Sequence, residues 1–270
     1  MKYKIVNASG QTCNKFWIWT HYIADAIECK HKVIILNPDM TFNDYPGLMN
    51  NKYLKFPLFI KYYVNFFGYK NYIRAIDKLI TNRFTSRLLF LLKYLKIDYE
   101  KPYSGSYFSI HKEKHNKQIK EMFEPSKEII RSCKAEFSKH KSDYYIGVHI
   151  RRGDYKTFKN GKYYYSIEDY NNILKRLLKQ FAGNLKVSVF ISSNEEIDLS
   201  KFEDINCFLL PNGSVTKDLY GLSMCDYIIG PPSTFSSWAS YIGDKKIFFI
   251  RDLEKDVKIN EFKDSLTIWQ

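Results

Sequence analysis

The stretch Tyr144–Phe158, YYIGVHIRRGDYKTF, puts a histidine and two arginines on the end of a run that is apolar and β-branched enough to be a buried strand. Side chains alternate faces along a strand. Ile146, Val148 and Ile150 therefore share one face, and Gly147, His149 and Arg151 share the other, with His149 and Arg151 roughly 6.5 Å apart. A charge at the end of a buried strand needs a partner. An arginine fork matches a diphosphate bidentately and can stabilise negative charge on a departing nucleoside diphosphate. An internal pair satisfies the charge as well, either Arg152 with Asp154 or Arg151 with a carboxylate. On spacing alone the two readings are even.

Three further stretches carry potential chemistry. In Gly230-Pro231-Pro232-Ser233-Thr234-Phe235 a strand ends, two prolines fix a turn and Ser233 caps a helix. Helix N-termini with hydroxyls bind phosphate well, although an ordinary N-cap explains the pattern when it is taken alone. Asp218 with Leu219 opens a short helix, where a carboxylate is favoured by the helix dipole without any ligand. Asn7–Asn14, NASGQTCN, is a small-residue turn that lets backbone approach a ligand. It is not a G-x-G-x-x-G fingerprint and gives no support to dinucleotide binding.

These groups must be positioned by a frame of alternating strands and helices. Lys4–Val6, a helix over Asn14–Glu28 and Lys32–Leu36 read as a βαβ opening. A single helix is expected over Met122–His140. The later half reads as strand Tyr144–Ile150, helix Ser166–Phe181 behind an S-x-x-D cap, strands Val187–Ile191 and Cys207–Leu210, and a short helix Asp218–Met224. Strand Tyr227–Ile229, helix Thr234–Tyr241 and strand Lys246–Ile250 follow. The pattern predicts an α/β protein with a parallel sheet covered by helices on both faces. Ligands in such sheets sit at the carboxyl ends of the strands, where Arg151, Arg152, Ser192–Asn194 and Gly230–Thr234 fall. The domain boundary is expected near Lys141, giving domains 1–141 and 142–270. Phe56–Tyr69 and Phe84–Ile97 are apolar, aromatic and dotted with lysines. Phe84–Ile97 reads either as a buried core helix or as a basic amphipathic face on a membrane surface.

Hydrophobic residues make up 45% of the 270, enough for a sizeable core and too many for disorder. The net charge of +13 favours an anionic partner, such as nucleic acid, an anionic membrane or a phosphorylated substrate. No nucleic-acid motif is found, so a basic nucleic-acid-binding protein is the weaker alternative. The five cysteines are odd in number, scattered and never paired as C-x-x-C, which points to a reducing compartment and away from a zinc site or disulfide frame. Such a compartment argues against reading Arg152-Gly153-Asp154 as an adhesion tripeptide. The opening MKYKIVNASG reads as a strand rather than a signal peptide, and no apolar run of about 18 residues predicts a spanning helix.

Taken together, the motifs resemble one family. His149-Ile-Arg151-Arg152-Gly153-Asp154-Tyr155 is similar to the H-x-R-R-x-D-Y signature of the α-1,2-fucosyltransferases and their α-1,6- and protein O-fucosyltransferase relatives. KDLYGLSMCDYIIGPPSTFSSW resembles that family's later motif, and Gly10–Asn14 its G-x-G-N-Q loop. The resemblance implies a GT-B-like fold, two Rossmann-like domains facing a cleft, with the acceptor on the N-terminal side and the donor bound mainly by the C-terminal half. It implies inverting transfer of fucose from GDP-fucose to a glycan hydroxyl, of a surface polysaccharide or a lipid-linked precursor, with no metal and no further cofactor. No D-x-D pair is present to hold a metal and diphosphate, so arginines and helix termini are expected to carry the charge. Carried over, Arg151 holds the donor diphosphate and stabilises the leaving GDP, His149 and Arg152 line the same site, and Asp218 contacts the guanosine. Ser233, Thr234 and Phe235 contact diphosphate and nucleoside, and Gly10 and Asn14 approach the donor from the N-terminal half. Asp154 is the nearest candidate base; Glu168 and Asp169 are weaker ones. Cys13 and Lys15 depart from the loop motif, and Pro232 and Ser237 from the later one. These departures leave open a transferase for another nucleotide sugar. A cytoplasmic location, at the inner face of a membrane that carries the acceptor, is the expectation.

Overall fold

The computed structural model describes residues 2–38, 40–56, 96–103, 107–181 and 183–269, with residues 68, 71, 72, 74, 75, 78 and 82 between them. The expected aromatic segment Phe56–Tyr69 and the basic helix Phe84–Ile97 lie almost entirely outside the described residues. Those described form two compact units, Met1–Ser126 and Lys127–Gln270. No helix among them is long and apolar enough to cross a membrane.

The first unit opens as expected with Tyr3–Val6 (β1), Thr12–Cys29 (α1) and Lys32–Ile35 (β2). It continues with Pro46–Met49 (α2), Leu54–Lys55 (β3), Ile97–Glu100 (β4) and Asn116–Met122 (α3). Its strands are parallel in the order β3-β2-β1-β4. β3 and β4 were not expected. Both are too short for a period of two to register, and Ile97 was read as the end of a helix. α1 buries Phe16, Trp19 and Ile23 completely, and the Phe16 ring sits 5.4 Å from Tyr45 and 5.1 Å from Phe123.

The second unit begins one helix earlier than the expected boundary. The helix expected over Met122–His140 is Lys127–Lys139 (α4), starting later because Phe123–Ser126 separates it from α3. Phe137 of α4 packs 5.4 Å from Phe190 and 5.0 Å from Phe208, so its apolar stripe belongs to the second core, and the division falls at Ser126 rather than Lys141. Then follow Tyr144–Ile150 (β5), Ile167–Leu178 (α5), Val187–Ser193 (β6), Cys207–Phe208 (β7) and Val215–Met224 (α6). Tyr227–Gly230 (β8), Thr234–Gly243 (α7) and Lys246–Phe249 (β9) complete the unit. All five strands are parallel in the order β7-β6-β5-β8-β9.

The order reverses between β5 and β8, so the topological switch point of this sheet lies at their carboxyl ends. β5 is the central strand and is buried over its last five residues. Ile146, Val148 and Ile150 join Tyr170, Ile173, Leu174 and Leu177 of α5 in one core layer. The other face is closed by α4 and α6, where Gly221 lets the Phe190 ring approach. Ser166 and Asp169 form the anticipated capping box: the Ser166 hydroxyl accepts from Asp169 N–H (3.0 Å) and the Asp169 carboxylate accepts from Ser166 N–H (2.7 Å).

Gly230, the last residue of β8, lies against the end of β5. A β-carbon there would lie 2.5 Å from the His149 carbonyl oxygen, a backbone atom that cannot rotate away. Gly230→Ala is therefore expected to lower stability by about 1–3 kcal/mol. Urea unfolding should show a lower midpoint with an unchanged slope.

Candidate active site

The switch point carries a pocket of about 670 Å³, lined by residues from the ends of β5 and β6, the turn after β7, and the starts of α6 and α7. His149 and Arg151 both face it, as strand alternation requires, and Asp218 and Phe235 complete its wall. Arg151 is held from the side: its Nε and Nη2 donate to the two oxygens of Asp154 at 2.7 and 2.8 Å. Its guanidinium also lies 5.6 Å from the Tyr155 ring centroid. Arg152 turns the other way, donating to the Tyr164 hydroxyl (2.7 Å), lying 5.1 Å over that ring and standing 3.6 Å from the Glu195 carboxylate. The bond to Tyr164 raises its pKa further.

Both readings of the double arginine thus have a physical basis in one place. The internal pair exists, although it is Arg151 rather than Arg152 that pairs with Asp154. Arg151 nonetheless lines the pocket, while Asp154 is about half exposed on its far side.

His149 is buried, with its ring 4.8 Å from that of Phe235. Burial, with Arg151 beside it, pushes its pKa down to about 3, so the imidazole is neutral at pH 7. Its Nδ1 has no hydrogen-bond partner among the described residues. Asp218 accepts a hydrogen bond from Ser192 (2.9 Å), and burial pushes its pKa up to about 6. α6 begins earlier than expected, at Val215 behind the N-cap Ser214, which sets Asp218 a turn into the helix rather than at its start.

The other sequence candidates fall as follows. Ser233 is the N-cap of α7, its hydroxyl accepting from Phe235 N–H (3.2 Å), and Thr234 is the first residue of that helix. Pro232 contributes a carbonyl that accepts from the Tyr155 hydroxyl (2.6 Å). Gly10 and Asn14 lie together in the first unit, where Gly10 takes φ +97° with Asn14 packed against it. Asp169 is committed to the capping box. Ser192 and Asn194 line the pocket, as their place at a strand end suggested without giving either a role, and Glu195 joins them. Their signal was position alone: the polar SSNEE closes and follows a strand that pairs with β5.

The comparisons with known proteins bear on the family and the fold. The model of glycosyl transferase family 11 matches residues 90–264, more than half of the chain. Galactoside alpha-(1,2)-fucosyltransferase 2 of Bos taurus is 28% identical over 113 residues, and that of Sus scrofa is 28% identical over the same length. The matched stretch is 39% of this chain and spans about a third of those relatives, 33% of their length. Among solved structures, Bradyrhizobium fucosyltransferase NodZ is similar with a TM-score of 0.57 at 16% identity, covering 98% of this chain and 99% of that one. POFUT1 in complex with GDP-fucose gives 0.57 at 13% identity, over 90% and 94% of the two chains. An Arabidopsis thaliana FUT1 variant in complex with GDP gives 0.57 at 10% identity, over 97% and 73%. These likenesses establish the class, an α/β protein of GT-B-like fold. The chain belongs to glycosyl transferase family 11, and the resemblance read from its motifs is borne out at that level.

The raised pKa of Asp218 has a signed consequence. Between its unfolded value of 3.8 and about 6, the native state keeps a proton that the unfolded state has lost. Stability contributed by this group therefore falls as pH rises through that window and is level above it. Asp218→Asn carries no such dependence. Relative to wild type, its thermal midpoint is expected to be higher at pH 7.5 than at pH 4.5. An equal offset at both values would show that the carboxyl titrates normally.

Proposed function

We propose that the protein transfers fucose from GDP-fucose to a glycan hydroxyl, in an α-1,2-type linkage, with inversion and without a metal ion. The observation that carries this reading is Arg151: a guanidinium at the switch point of a parallel sheet, oriented by Asp154 and facing a pocket large enough for a nucleotide. The charges of the pocket are sorted. Arg151 stands at the end of β5, while Glu195, Glu196 and Asp218 lie on the β6 and α6 side. In the proposed complex the diphosphate lies at the arginine, and the hydroxyls and N–H groups of the nucleoside donate toward the carboxylates.

In this reading Arg151 stabilises the charge that develops on the leaving GDP as the sugar–phosphate bond breaks. Neutral His149 is suited to a single hydrogen bond rather than a second charge. Asp154 orients Arg151: both of its oxygens already accept from the guanidinium, which makes it a poor proton acceptor. The acceptor class we propose is a surface polysaccharide or a lipid-linked precursor, met at the inner face of a membrane. That acceptor rests on the charge and aromatic content of the sequence.

Calorimetric titration of GDP, GDP-fucose and UDP in the presence of chelator tests the reading. Wild type should bind the two guanosine compounds and not UDP, and Arg151→Ala should weaken them about 10- to 150-fold, the loss of charge-assisted hydrogen bonds. Binding of UDP alone would favour another nucleotide sugar, and binding only with added metal would remove the metal-free mechanism. Asp154→Asn separates orientation from proton transfer. It is expected to weaken GDP and slow turnover together, whereas loss of a base slows turnover by roughly 100-fold or more with GDP affinity intact.

A further inference from the structure

We propose that Asn194 is the positioning residue of this site, locking the turn that aims Arg151. The inference rests on the reading of Arg151 as the diphosphate ligand.

The parallel ladder between β5 and β6 ends at the pairs His149 with Ser192 and Ile150 with Ser193. Past that point the two strands have no further register. Two residues past the strand, Arg152 N–H is taken by a side chain: Asn194 Oδ1 accepts it at 3.0 Å. That N–H belongs to the peptide plane joining Arg151 to Arg152. Holding it fixes the direction in which the Arg151 side chain leaves the backbone. The Arg152 carbonyl in turn accepts from Tyr155 N–H (2.7 Å) and Lys156 N–H (3.2 Å), which starts the short 3₁₀ turn Gly153–Lys156 and places Asp154 against Arg151.

The other end of the Asn194 amide is fitted as closely. A β-carbon on Gly153 would lie 2.6 Å from Asn194 Nδ2. Asn194 thus touches the turn on both sides of Arg152, while its neighbour Glu195 faces the Arg152 guanidinium at 3.6 Å. Asn194 is itself exposed and lines the pocket. Its removal leaves the core untouched, so a change in fold stability is not what its substitution should report.

A double-mutant cycle on donor binding tests this. Asn194→Ala is measured in wild type and in an Arg151→Lys background, where a weaker point charge keeps binding measurable. GDP affinity is followed by calorimetry and turnover with GDP-fucose in parallel. Asn194→Ala should weaken GDP roughly tenfold in the wild-type background and by less than about twofold beside Arg151→Lys, because the fork it aims is then absent. Gly153→Ala, which jams the same contact from the other side, should reproduce the loss. The thermal midpoint of both variants should stay close to wild type. Equal losses in both backgrounds, or no loss in wild type, would overturn the positioning role. Arg151→Lys binding GDP as tightly as wild type would instead overturn the reading of Arg151 itself.

Discussion

The structure depends on one constraint: a central strand buried on both faces ends on two guanidinium groups. Arginine cannot shed its proton, so burial must be answered by geometry. The answers differ for the two residues. Arg152 is caged by the Tyr164 ring and hydroxyl and by Glu195. Arg151 is forked by Asp154, whose side chain is 47% exposed. Pairs of that exposure contribute about 0–1 kcal/mol, because water competes for both partners. The Arg151–Asp154 pair therefore does little for stability and fixes a direction instead. An anion arriving at the pocket can share or replace Asp154 at small cost. Replacing Arg152 in its cage costs more, since a ring face and a hydroxyl are lost with the charge.

The same constraint explains the neutral groups around the arginines. A protonated His149 beside Arg151 would bury a second positive charge, and its pKa near 3 states that cost. Gly230 removes every side-chain atom where β8 meets the His149 carbonyl, which lets the strands close at the switch point. The Tyr155 hydroxyl ties the arginine turn to the Pro232 carbonyl and hence to the start of α7. The turn after β5 is thus held by β6 through Asn194, by the β8–α7 loop through Pro232, and by its own 3₁₀ hydrogen bonds.

Much of this was legible because each signal was local. The alternation in YYIGVHIR placed His149 and Arg151 on one face, and S-x-x-D gave the start of α5 to the residue. Long-range facts were not legible. Which carboxylate would meet which arginine depends on a turn whose shape is set by Asn194, 42 residues away in sequence. The start of α4 was placed at Met122 rather than Lys127, and α3, only seven residues long, went unread. β3 and β4 were hidden because an edge strand of two to four residues has no measurable period.

The departures from the family motifs acquire meaning once they are placed. Cys13 and Lys15 are both buried in the first turn of α1, while Asn14 between them is only partly buried and sits against Gly10. Pro232 offers its backbone carbonyl, which any residue would supply. Ser237 differs in kind: it is fully buried, donates to the Ser265 carbonyl at 3.4 Å and accepts from the Trp269 indole at 3.2 Å. Where the resembled motif has a tryptophan on the helix, this chain has a small hydroxyl met by a tryptophan from another segment, itself 4.8 Å from Phe249. Neither Pro232 nor Ser237 puts a new charge on the pocket wall. In the second unit the chemistry of Arg151 is left intact, and the departures there bear on how the start and body of α7 are packed.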